Sequence, residues 1–301
     1  MSVDYIHISS NEIGQRLDNF LLKKLKGVPR SLIYKIIRSG QVRINKGRTK
    51  ASYRLSEKDI VRIPPIETSN NSTGISYKFL NNLEKYIIFE NQDFIILDKP
   101  AKIAVHSGTG LKNDIISSIK TIKEYRNITP VHRLDKDTSG CLILAKNYQS
   151  ASFFGSIMPD IKKTYNALLF GRLSKKEVKI DKALTDVRKD GNRKIITSSS
   201  GKPASSIFIK KKQYKKFTLV DVILETGRTH QIRVHAANMN NPICGDKKYG
   251  DKELNRELNN KGLDRIFLHA EKISFYYNKK YSFKSKLPLD LLCVLDNIKE
   301  V

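Results

Sequence analysis

Residues 131–145 read Val131-His132-Arg133-Leu134-Asp135-Lys136-Asp137-Thr138-Ser139-Gly140-Cys141-Leu142-Ile143-Leu144-Ala145. The first ten are charged and turn-forming, and the last five are an unbroken apolar run, the pattern of a short buried strand. Asp135 is therefore expected on a loop braced by a strand, between Arg133 and Lys136. Thr138 and Ser139 are placed to bond the backbone around it. An isolated Arg-x-Asp is usually a solvated ion pair of little energetic weight, so the pattern must be judged with its surroundings.

Moving outward, Tyr86-Ile87-Ile88-Phe89 and Phe94-Ile95-Ile96-Leu97 read as a hairpin across Asn91-Gln92-Asp93, with Asp98-Lys99-Pro100 closing the second strand. A helix is expected from about 113 to 123 and another over 148–157, closed by Pro159. Strands follow at 163–169 and 217–225, and a helix over 228–240 after the Gly227 turn. The stretches 197–206 and 249–263 are polar and read as loops. Strands outnumber helices without regular alternation, so the fold class is α+β around a mixed, mostly antiparallel sheet.

The N-terminal part reads as a separate module. Leu17, Phe20, Leu21 and Leu25 recur at helical spacing, and Gly27-Val28-Pro29 breaks that helix. Ser31 suits an N-cap for a second helix with Leu32, Ile33, Ile36 and Ile37 on one face, stopped at Gly40. Short strands follow at 42–44 and 60–63. Arg30, Lys35, Arg38 and Arg43 cluster around the second helix and the strand after it. Residues 65–79 are polar and poor in large apolar groups, a linker. The expected division is 1–66, a linker over 67–80, and 81–301.

The chain has 301 residues, enough for two domains with cores. Its 56 Lys+Arg exceed 30 Asp+Glu, giving +26. Self-repulsion on that scale opposes compaction, and a polyanionic partner is its natural counterpart. Cys141, Cys244 and Cys293 lie far apart and form no C-x-x-C pair, which fits a reduced compartment and buried apolar packing. The start, Met1 to Ile8, lacks a basic segment followed by an apolar one, and no apolar run approaches the ~20 residues of a membrane span. A cytoplasmic protein, with no membrane contact, is expected.

The string His-Arg-Leu-Asp-x-x-Thr-Ser-Gly-x-x-x-x-Ala at 132–145 resembles the signature of the RluA-type pseudouridine synthases. Further segments resemble other motifs of that family: Lys163-x-Tyr165, Leu224-Glu225-Thr226-Gly227-Arg228-Thr229-His230-Gln231-Ile232-Arg233-Val234-His235, and Asn241-Pro242-Ile243-x-Gly245-Asp246-x-x-Tyr249-Gly250. The resemblance implies a nucleophile at Asp135, an ion-pair partner for it at Arg233, and a residue set against the target base at Tyr165. It also implies that Arg133 fills the space a flipped nucleotide vacates. The layout Gly14-x-Arg16-Leu17-Asp18, Pro29-Arg30-Ser31-x-Ile33, Arg38-x-Gly40-x-Val42-x-Ile44-Asn45 is similar to the alpha-L RNA-binding module of ribosomal small-subunit protein four. That likeness implies RNA contacts by Arg30, Lys35, Arg38 and Arg43. From about residue 12 to about 295 the chain looks like the branch acting on bacterial 23S ribosomal RNA, although Cys244-Gly245-Asp246 departs from that branch.

The chemistry fits these residue types. Breaking a glycosidic bond and rejoining the base through carbon needs a nucleophile that adds and leaves, and a carboxylate kept ionised by an arginine does so. An acceptor is needed for the C5 proton, with Tyr165 or a relayed water in reach. No cofactor or metal is required, and a monomer is expected. His230 and His235 are five apart, not the three or four that put two ligands on one helical face. There is no Gly-x-Ser-x-Gly elbow and no phosphate-binding loop. The reading from a different class is an RNA-binding assembly factor with the fold but not the chemistry. Intact Asp135, Tyr165 and Arg233 oppose it.

Overall fold

The computed structural model describes residues 3–9, 12–25, 28, 30–65, 79–106, 114–189 and 192–298, the side chains of Ser31, Arg188, Lys189, Asn192 and Arg193 excepted. It divides into two units, Met1–Asn81 with His106–Ser118, and Asn82–Val105 with Ile119–Val301. The linker expected over 65–79 falls almost wholly outside the described residues, as do Gly27 and Pro29.

The smaller unit contains β1 (Asp4–His7), α1 (Leu17–Lys24), α2 (Arg30–Arg38), β2 (Arg43–Ile44), β3 (Gly47–Arg48) and β4 (Ile60–Ile63). Its sheet is antiparallel, in the order β1-β4-β2-β3. The apolar stripes of both helices (Leu17, Phe20, Leu21; Ile33, Ile36, Ile37) bury against Val42, Ile44, Val61 and Ile63. Removing such side chains from water supplies on the order of 2 kcal/mol each. Gly40 adopts φ +73 just after α2, the left-handed stop expected there. One expectation needs correction: α2 starts at Arg30, one residue before the expected cap at Ser31.

The larger unit is built on β5 (Ile87–Glu90), β6 (Phe94–Lys99), β7 (Thr129–Pro130), β8 (Ser139–Ala145), α3 (Tyr148–Ser156), β9 (Lys162–Phe170), β10 (Glu177–Asp181), β11 (Leu184–Lys189), β12 (Asn192–Thr197), β13 (Ser205–Gln213), β14 (Phe217–Leu224), α4 (Gln231–Asn238), α5 (Lys252–Asn260), β15 (Leu268–Tyr277), β16 (Lys279–Lys284) and α6 (Leu289–Asn297). Ten strands form one sheet, in the order β10-β13-β14-β9-β15-β8-β6-β5, with β16 on β15 and β7 on β8; β11 and β12 form a separate hairpin. Its ladders are antiparallel except β15–β8, where His269 and Ala270 lie opposite Ser139 and Gly140. That parallel contact immediately follows the Asp135 turn. Gly140 has φ +110, and a Cβ there would sit 2.2 Å from the Ala270 carbonyl oxygen, so only glycine fits. The sheet is mixed and mostly antiparallel, and the fold is α+β as expected.

Three local readings differ. Residues 249–263, expected as loop, contain α5, capped by the Asp251 carboxylate, which accepts from the Glu253 and Leu254 amides at 2.8 and 3.0 Å. Its apolar stripe is only Leu254 and Leu258, too narrow to declare a helix. The helix expected over 113–123 is confined to Ile115–Ile119. Cys141 and Cys244 are buried as expected, but Cys293 is exposed on α6.

Candidate active site

The Asp135 turn is closed by the Thr138 amide, which donates to the Asp135 carbonyl at 3.1 Å, and anchored by the buried Leu134. Two buried basic side chains hold the carbonyls that follow. Lys99 Nζ, at the end of β6, donates to Lys136 O at 3.1 Å and Pro100 O at 2.8 Å. Arg265 donates to Asp137 O at 3.3 Å while its Nε and Nη2 grip Asp290 at 2.6 and 3.2 Å. Burial pulls the Lys99 amine down to about 7, against the opposing pull of Asp137. Neither hydroxyl expected to bond this backbone does so. Thr138 braces the turn through its amide alone, its Oγ1 being buried with no hydrogen-bond partner among the described residues, and the Ser139 hydroxyl pairs with His269 Nδ1 at 2.9 Å.

The second half of the site is set by where α4 begins. The sequence suggested Arg228, but the helix starts at Gln231, because the Gln231 side chain locks the preceding turn. Gln231 Oε1 accepts from Thr226 Oγ1 and the Arg228 amide, and its Nε2 donates to Ser205 O and Ser206 Oγ. His230 is forced into the left-handed region at φ +54. From this start Arg233 projects onto the Asp135 turn, and Nη1 donates to Asp135 Oδ2 at 2.8 Å.

Arg233 has a second partner. Its Nε and Nη2 donate to Asp246 Oδ2 and Oδ1 at 2.7 and 2.8 Å, a two-pronged pair with a carboxylate whose side chain is 0% exposed. The Lys248 and Tyr249 amides also donate to Asp246 Oδ1. Burial opposes both charges, but the pairing outweighs it, so Asp246 is held below the usual carboxylate range and Arg233 above its own value. Asp246 reaches this place because Gly245 adopts φ +75, where a Cβ would meet the Arg265 carbonyl oxygen at 2.1 Å.

Asp135, Arg233, Tyr165 and Arg133 line one cleft of about 70 Å³, together with His230 and Thr138. Tyr165, on β9, is buried. That burial, reinforced by the Asp135 charge, raises its phenol, which keeps its proton at neutral pH. Arg133 is exposed and makes no ion pair among the described residues. Two histidines of these motifs make hydrogen bonds away from the cleft. His132 Nε2 accepts from the Ile143 amide at 3.2 Å, and His235 bridges Ser206 Oγ and Lys182 O, each at 3.0 Å. Among the described residues no group of three His, Cys, Asp or Glu is arranged to hold a metal.

Sequence reasoning left Asp246, His230 and Tyr249 without roles. Each stands in a quoted motif, and that was the only signal available, since their contacts with Arg233 and Asp135 depend on the turn at 226–230.

In the smaller unit the four basic residues split into two groups. Arg30, Lys35 and Arg38 lie exposed on α2, whereas Arg43 stands on the sheet's outer face. There the register puts Arg43 opposite both Arg48 and Arg62, and Arg62 opposite the exposed Tyr5. Arg48 and Arg62 went unread because only strand register brings them into line.

The sequence matches the family model described as RNA pseudouridylate synthase over residues 93–238, and the S4 domain model over residues 15–61. Among curated proteins, ribosomal large subunit pseudouridine synthase C of Haemophilus influenzae is 41% identical over 310 residues, covering 99% of this chain and 96% of that protein. The protein of that name in Escherichia coli is 39% identical over 284 residues, covering 91% and 89%. Among solved structures, human RNA pseudouridylate synthase domain containing 4 aligns with a TM-score of 0.62 at 19% identity, over 75% of this chain and 98% of that one. At that identity the solved structure supports the fold alone. Similarity near 40% across almost the whole length of the curated relatives goes further, and the protein belongs to the RNA pseudouridylate synthase family.

Proposed function

We propose that the protein converts specific uridines to pseudouridine in large-subunit (23S) ribosomal RNA, with Asp135 as nucleophile. The observation that carries this reading is the Asp135 carboxylate, paired with Arg233 at 2.8 Å in a cleft that also holds Tyr165. The relatives' shared name specifies the ribosomal large subunit.

In this reading the target uridine leaves its stack and enters the cleft, and the planar guanidinium of Arg133 occupies the vacated space. One oxygen of Asp135 adds and later leaves. The bond from C1′ to N1 breaks, the base turns, and C1′ joins C5. The C5 proton is lost and N1 gains one, so no atom is gained or lost overall and no oxidant, reductant or group donor is needed. Tyr165 retains its own proton and serves to hold the base, which favours a relayed water as the C5 acceptor. Arg30, Lys35, Arg38 and Arg43 make phosphate contacts from an RNA-binding domain over 1–66, joined through 67–80 to a catalytic domain over 81–301. The protein works as a monomer in the cytoplasm, where its RNA is found.

The test is pseudouridine formation by the purified chain in a transcribed 23S fragment, together with mapping of 23S RNA from cells with and without the gene. Product at a few defined uridines, absent from the deleted strain, is the expected result. No product, and identical maps, would overturn the reading.

A further inference from the structure

We propose that His230 is a positioning residue: bonded through Nδ1 to Tyr249, it turns Nε2–H towards Oδ2 of Asp135, the oxygen Arg233 already holds, so that Oδ1 is the oxygen that attacks. The inference deepens the assignment of Asp135 as nucleophile and rests on it.

Four observations carry it. First, His230 Nε2 stands 3.7 Å from Asp135 Oδ2, and Arg233 Nη1 stands 2.8 Å from that same atom. Both nitrogens address one oxygen, and Oδ1 has no hydrogen bond among the described residues. Second, His230 Nδ1 lies 2.9 Å from the Tyr249 hydroxyl, and that hydroxyl already accepts from the Ile195 amide of β12 at 3.1 Å. With the Ile195 amide on that oxygen, the Tyr249 O–H can donate to Nδ1, and the tautomer so selected carries its ring hydrogen on Nε2. Third, His230 is held at φ +54, a costly conformation for a non-glycine residue, imposed by the locked turn ahead of Gln231. Fourth, the groups around the ring keep it uncharged. Burial is the largest influence and lowers its tendency to protonate; Asp135 opposes it, and Arg233 and Lys248 add to it. A neutral donor steers the carboxylate without neutralising it.

The geometry is open by just under an ångström relative to a hydrogen bond, as is common before substrate tightens a site. Closing it needs only a small rotation of the carboxylate. The arrangement also ties the nucleophile to the β11–β12 hairpin, because Ile195 fixes Tyr249 and Tyr249 fixes His230.

Glutamine carries an amide N–H at about the position of Nε2 but no counterpart of Nδ1, so it separates the two bonds of His230. With the full chain and a transcribed 23S fragment, His230→Ala should lower kcat by ten- to a hundredfold with RNA Kd within twofold. His230→Gln should recover most of that loss. Tyr249→Phe should slow the wild-type background several-fold but leave the His230→Gln background unchanged, because glutamine has no tautomer to fix. Two results would overturn the proposal: equal losses for Ala and Gln in proteins that melt like the wild type, or the same cost of Tyr249→Phe in both backgrounds. Failure of the underlying assignment shows separately, as turnover retained by Asp135→Asn.

Discussion

Arg233 divides its guanidinium between two carboxylates, with Nη1 on Asp135 at 2.8 Å and Nε and Nη2 on the fully buried Asp246 at 2.7 and 2.8 Å. Asp246 fixes the plane of the fork and leaves one N–H for Asp135. Arg233→Ala should abolish most turnover, and Arg233→Lys should lie between, since a point charge cannot serve both partners. Asp246→Asn should cost on the order of 3 kcal/mol of stability, because a buried charge loses its partner. It should also slow turnover at least about tenfold by loosening the arginine. Thermal melts beside single-turnover assays check this. Wild-type turnover in Asp246→Asn would show that Arg233 needs no second anchor.

Lys99 is fully buried with its amine lowered to about 7, while the unfolded chain has an ordinary lysine near 10.5. Between those values the unfolded state holds the proton and the folded state does not, so this residue's contribution to stability rises with pH from about 7 to about 10.5. It is lost as pH falls from about 10.5 to about 7, below which both states hold the proton. Asp137, Asp135 and Arg265 face the amine and bias it in opposite senses. The difference in Tm between wild type and Lys99→Met should therefore shift in favour of wild type between pH 7 and pH 10. A constant difference would mean that the amine stays charged.

RNA affinity should fall steeply with salt, with a log–log slope implying on the order of 5–10 neutralised phosphates. Replacing Arg30, Lys35 and Arg38, exposed on α2, by alanine should reduce that slope by about 2–3. Filter binding across salt concentrations measures it. An unchanged slope would remove the helix from the RNA contact, and the row Arg43, Arg48, Arg62 would then be the one to substitute.

Arg133→Ala should slow modification of a structured RNA far more than of one whose target uridine is already unpaired. Unstacking costs a few kcal/mol, and the gap must be refilled by something planar. Matched rates on the two substrates decide it. An equal slowing would give Arg133 another task, such as orienting Asp135.

The sequence made the apolar half of this molecule legible. The run Cys141–Ala145 announced β8, and the helical stripes of the small unit announced its core, because period and composition are local properties. The convergence of Asp135, Arg233 and Tyr165 came from motif resemblance and not from spacing. What stayed hidden depends on the third dimension. Asp246 stands thirteen positions from Arg233, and nothing local distinguishes it from a surface carboxylate. The start of α4 was misread because a buried glutamine side chain, not a terminal Ser or Asp, organises the turn before it. The hairpin β11–β12 went unread because its polar alternation has no buried face strong enough to show in sequence.

The most direct test of the whole account is Asp135→Asn, which keeps size and shape but removes the carboxylate proposed to attack. Pseudouridine formation in a transcribed 23S fragment is measured beside filter binding of the same RNA. The account predicts that turnover vanishes while affinity stays within a few-fold of wild type, or rises slightly because a negative charge facing RNA is gone. Turnover near the wild-type rate would contradict it, from the Arg233–Asp135 pair to the proposed chemistry.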